Sequence, residues 1–128
     1  MTVDATEEMP RADKAALLAK REAPGSVSGF PEEDVPIPGF GTVRVRGLSR
    51  FEVLHVQSST RGAAAVEQLS VSLALVDPSM TEAEVKAWQK VDVSGEIDPV
   101  TRKIGELSGV IERADKEAYK SVRDESDA

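Results

Sequence analysis

The sequence predicts a mainly α protein, a small N-terminal β-hairpin followed by a bundle of about four helices. Aromatic residues make up only 4% of the 128-residue chain while hydrophobic residues reach 40%. Its core must therefore be aliphatic and alanine-rich, which suits closely packed helices. Two capping-box patterns, Ser49-Arg-Phe-Glu52 and Thr81-Glu-Ala-Glu84, mark helix starts. One stretch alternates with period two, Thr42-Val-Arg-Val-Arg46, directly after a Gly-Phe-Gly turn.

Residues 1–34 read as a flexible acidic arm and linker. Polar, small and acidic residues alternate there, with one short helical candidate from Arg11 to Glu22 that carries Leu17 and Leu18. The run from Ala23 to Pro31 is rich in turn formers and has no period. A helical domain with its hairpin is expected over residues 35–120, and a disordered tail over 121–128.

Pro36 and Pro38 lie two apart, so in an extended strand their missing N–H groups fall on one side and leave Val35 and Ile37 to pair on the other. That describes an edge strand. Gly39-Phe-Gly41 supplies the turn. The alternation that follows puts Val43 and Val45 on a buried face and Arg44 and Arg46 on a basic one.

Ser49 caps the first helix of the bundle, with Phe51, Leu54 and His55 on neighbouring positions, running toward Ser59 and a break at Arg61-Gly62. The second spans Ala63 to Val76, where Val66, Leu69, Leu73 and Val76 form a stripe that Asp77-Pro78 ends. Thr81 opens the third, with Val85, Trp88 and Val91 expected toward the core and Ser94-Gly95 closing it. Asp98 is the N-cap candidate of the fourth, with Pro99 at its first position. Its stripe of Ile104, Leu107, Ile111, Ala114 and Ala118 makes it the longest expected helix, fraying after Tyr119. Gly109 inside it costs about 1 kcal/mol against alanine, which predicts a kink or close contact at Ser108-Gly109.

Composition narrows the function classes. A net charge of -7 and a pI near 4.8 disfavour a role that rests on neutralising phosphates or an anionic membrane surface. With no cysteine there is no disulfide, thiolate nucleophile or Cys-type zinc site, and His55 is the one histidine. The first residues lack a signal peptide's basic start and apolar run, and no apolar segment approaches the ~20 residues that span a bilayer. A soluble intracellular protein is expected, with no cofactor or metal.

Charge is uneven along the chain. Val35 to Arg61 carries four arginines against one glutamate, a local +3 in an acidic protein. Arg44 and Arg46, with Arg50 close by, therefore form a candidate patch for an acidic partner or for the chain's own acidic arm. The competing reading is a solvated face that protects an edge strand. Nucleic acid is disfavoured, since no aromatic residues interleave with these arginines. Trp88 is either core or an exposed partner anchor, and its place between Val85 and Val91 favours core. His55, near Glu52, Ser58 and Ser59, is a general-base candidate without a plausible nucleophile. Glu82, Glu84 and Asp92 lack the tight loop spacing of a hard-metal site and read as helix-start charges. Gly39-Phe-Gly41 lacks the lysine and Ser/Thr of a phosphate loop.

The order VPIPGFGTVRVRGLSRFEVLHVQ, then LALVDPSMTEAEVKAWQ, then IDPVTRKIGELSG resembles the tail assembly chaperones of long-tailed bacteriophages, over about Val35 to Gly109. These are patterns of structure, and they carry no catalytic residue. The resemblance implies a non-enzymatic helical protein that binds the tape-measure protein, keeps that long chain soluble and helps recruit tail-tube subunits. It also implies self-association of copies along the partner, a place in the host cytoplasm during assembly, and absence from the mature virion. Two other readings stay open. One is a structural tail or head-tail component retained in the virion; the other is a small regulator or enzyme using His55.

Overall fold

A computed structural model describes residues 9–110. Over them, Glu32–Ile37 (β1) and Gly41–Arg46 (β2) form the expected hairpin, and Leu75–Asp77 (β3) joins the other side of β2 in a three-stranded antiparallel sheet ordered β1-β2-β3. Valines and isoleucine alternate inward, with Val35 opposite Val43 across the hairpin. The helices are Lys14–Leu18 (α1), Arg50–Gln57 (α2), Ala63–Ala74 (α3), Glu82–Val91 (α4) and Ile97–Leu107 (α5).

The architecture is thus helix-rich but mixed α/β. Among the described residues four helices follow the hairpin, yet the expected second helix stops at Ala74 and hands its last residues to β3. Pro78 disfavours helical backbone at the residue before it. Leu75 is already extended, and the edge of β2 offers it hydrogen-bond partners, with Val45 opposite Leu75 and Arg44 opposite Asp77. β1 begins at Glu32, inside the stretch read as linker, because Glu32 and Asp34 face Arg46 and Arg44 across the hairpin. The short helix before it spans only Lys14–Leu18 within the expected Arg11 to Glu22.

α5 lies against β1 and β2, while α3 is the helix that α2, α4 and α5 share. Their common core is aliphatic, and its largest fully buried side chains are Val45, Val71, Val85 and Val100. Small β-branched residues let helix and sheet approach closely without aromatic spacers. Both capping boxes form, Ser49 with Glu52 and Thr81 with Glu84. Val91 departs from its expected place toward the core and is exposed at the end of α4. α2 buries Val53 and Val56 and turns Phe51 and Leu54 outward.

The last helix starts one residue before Asp98, and its cap is not that residue. The Asp92 carboxylate instead accepts hydrogen bonds from the amides of Glu96 (2.8 Å) and Ile97 (3.0 Å). Asp92 does from the preceding turn what a side-chain cap does from the helix. The predicted interruption at Ser108-Gly109 is the helix's end, where Gly109 takes φ +78. At 11 residues α5 is slightly shorter than the 12-residue α3. Its expected continuation through Ile111, Ala114 and Ala118, and the 121–128 tail, lie outside the described residues.

The β2–α2 connection docks on that end. A Cβ at Gly47 would sit 2.6 Å from the Leu107 carbonyl oxygen. The Leu48 amide donates to Ser108 Oγ at 2.8 Å, and that hydroxyl donates to the Ile104 carbonyl. Gly47 is therefore required by close backbone approach, and Gly47→Ala is expected to destabilise the fold by about 1–3 kcal/mol. Denaturant unfolding measures this as a lower midpoint at unchanged slope; a midpoint equal to wild type contradicts the contact.

Candidate functional site

The arginines of the outer sheet face are occupied within the chain. Arg44 donates through Nε to Glu32 Oε1 (2.7 Å), through Nη1 to Asp34 Oδ1 (3.1 Å) and through Nη2 to the Gly25 carbonyl (3.2 Å). Glu32 Oε2 accepts from the Ser26 hydroxyl (3.0 Å) and from both the amide and the hydroxyl of Ser28 (2.7 Å each). The Glu32 side chain is 0% exposed. Burial pushes its carboxyl up, but the two Ser28 donors, Arg44 and Ser26 together outweigh that and hold it at about 2.

Arg46 forms a two-pronged pair with Glu52, 2.9 and 2.7 Å, and also donates to the Gly47 carbonyl. Its guanidinium carbon lies 4.9 Å from the centre of the Phe30 ring. Arg46 holds the Glu52 carboxyl down at about 2, helped by the Ser49 amide and hydroxyl and opposed by burial. So the stretch from Gly25 to Phe30 is tied across the hairpin. The signal was present in the sequence: Glu32 and Asp34 stand two apart in β1, on the same face as Arg44 and Arg46.

Arg50 is set apart from this network. It is the first residue of α2, exposed and without an ion pair among the described residues. Beside it on the outer surface of α2 lie Phe51, 80% exposed, Leu54 and His55. The His55 ring makes no hydrogen bond among the described residues, and its carbonyl accepts from the Ser58 hydroxyl at 2.8 Å. Among the described residues no group of three or more His, Asp or Glu side chains converges as a metal site.

Trp88 belongs to a different surface. It is half-buried, and it packs against the core while forming one wall of an open groove of about 610 Å³. Phe40 and Val43 from the hairpin, Pro78 and Met80 from the loop before α4, Val91 and Glu96 also line it. Phe40 is 80% exposed and Val91 71%. The turn holds Phe40 out: its amide donates to the Ile37 carbonyl (2.9 Å), and the glycines on either side take φ of +87 and +124. An indole N–H needs a partner when its ring is partly buried. Trp88 Nε1 finds one in Glu96 Oε1 at 2.9 Å. The Asp92 cap fixes the turn that presents Glu96, and those amide hydrogen bonds lower the Asp92 carboxyl.

Trp88 is thus both core and groove wall, and the four sequence candidates fall on three surfaces. Phe40, Met80 and Val91 were not foreseen as site residues. An exposed phenylalanine between two glycines was the available signal for Phe40, while Val91 fits a core stripe by spacing alone. In comparison with known proteins, no family model, curated protein or solved structure matches this chain.

Acid should release the Gly25–Phe30 tie. A carboxyl lowered from 4.5 to about 2 by folding contributes stability above 4.5 that is lost as pH falls toward 2. Thermal unfolding across that window is expected to show a falling Tm in wild type and a flatter profile in Glu32→Gln and Glu52→Gln. Parallel profiles in all three proteins contradict the assignment.

Proposed function

We propose that this chain is a tail assembly chaperone of a long-tailed bacteriophage. It acts by binding and performs no chemistry. On this reading it holds the tape-measure protein in soluble form, helps tail-tube subunits reach it, and departs before the particle is finished. The work is done in the host cytoplasm without a cofactor.

The observation that carries the reading is the groove between Phe40 and Trp88. A phenylalanine held in solvent by two glycines beside a valine, a methionine and a tryptophan is a costly arrangement in a single soluble chain and a useful one for gripping apolar segments. Methionine and valine walls adapt to varied side chains, which suits a long partner offering many sites. The resemblance of the stretches around Val35 to Gly109 supplies the setting. Among the described residues no helix is long and apolar enough to cross a membrane.

A tagged chain captured from cells during particle assembly is expected to bring down a very long, helix-rich partner, identified by mass spectrometry, and to be missing from purified particles. Phe40→Asp is expected to cut that recovery by about tenfold, the scale of an interface hot-spot residue, with unfolding unchanged. Stoichiometric retention in particles makes the protein a structural component instead and overturns the release step.

A further inference from the structure

The groove carries information about what enters it. Among the described residues its one charged lining residue is Glu96, and no lysine or arginine lines it. Lys86 and Lys90 of α4 each stand two residues from Trp88, which places them on the far side of the helix. Asp77 stands opposite Arg44 on the outer sheet face and Asp92 is spent on the Glu96 and Ile97 amides, so the groove has an apolar floor and Glu96 as its acidic group. Glu96 accepts one hydrogen bond from the Trp88 indole, and Ser94 Oγ lies 3.4 Å from its second oxygen. Neither contact supplies a positive charge.

From this we infer that the groove takes an amphipathic helix whose apolar stripe is flanked by lysine or arginine, an inference that rests on reading the groove as the partner site. A helix satisfies its own backbone hydrogen bonds and can lay a stripe of leucines against Phe40, Met80, Trp88 and Val91 without leaving amides unpaired. A flanking cation then meets Glu96 at the edge of a surface with reduced solvent, where complementary charge adds specificity. A second copy of this chain fits poorly. Each copy has a net charge of -7, and symmetric docking of groove on groove sets one Glu96 carboxylate toward the other with no cation between them.

The test uses the full chain and two synthetic helical peptides without tryptophan. Both carry the same leucine stripe, one flanked by lysines and the other by glutamates. Trp88 is the single tryptophan, so its fluorescence reports occupancy of the groove directly. The lysine peptide is expected to give a saturable blue shift and to bind at least about fivefold more tightly than the glutamate peptide, a preference that fades as salt rises. Glu96→Gln, which keeps an oxygen for the Trp88 indole, is expected to narrow the preference, and Phe40→Asp to weaken both peptides. Equal binding of the two peptides, no binding of either, or a Phe40-dependent dimer of the chain alone overturns the inference. Because the readout is charge preference in purified protein, it fails separately from the recovery of a long partner from cells.

Discussion

One guanidinium joins most of what distinguishes this molecule. Arg46 leaves the middle strand, grips both oxygens of Glu52, reaches the Gly47 carbonyl and lies over the Phe30 ring. Glu52 is at the same time half of the capping box that starts α2. Strand, connection, helix start and N-terminal segment are therefore fixed by one two-pronged pair, a geometry that arginine forms and lysine cannot. With Gly47 pressed against the end of α5, the hairpin has one orientation relative to the helices.

That arrangement decides which surface is left open for the proposed partner. Arg44 and Arg46 make the only strongly basic segment of the chain, yet their charge is answered by Glu32, Asp34 and Glu52. What the rigid hairpin presents instead is its tip. Phe40 stands out over α4 because β2 is anchored at its other end, and the Asp92 turn sets Glu96 under Trp88 from the opposite side. The groove is thus a product of two braces, one ionic and one a helix cap, placed around an aliphatic core.

Much of the local structure was legible because it follows from short-range chemistry. Both capping boxes, the Gly-Phe-Gly turn and the edge strand each depend on a few adjacent residues. What the sequence hid depends on contacts between distant ones. Leu75 to Asp77 look like the last turn of a helix until the open edge of β2 is there to receive them. Val53 and Val56 compete with Phe51 and Leu54 for the inner face of α2, and only packing on α3 settles the choice in favour of the smaller residues. Asp92 replaces Asp98 as the cap because the turn folds back, which no spacing rule records. The charge pairing across the hairpin was within reach, since register follows from the turn. The groove was not, because Phe40 and Trp88 come together only in the folded chain.

The proposed partner surface is the hairpin tip and α4, and not the basic face or the outside of α2. Site-specific photo-crosslinking in assembling cells tests it most directly, with a benzophenone side chain placed at position 40 in one variant and at position 51 in another. Both phenylalanines are 80% exposed, so access to solvent is matched. A high-molecular-weight adduct is expected from position 40 and none from position 51. An adduct from position 51 alone contradicts the proposal and moves the working surface to α2.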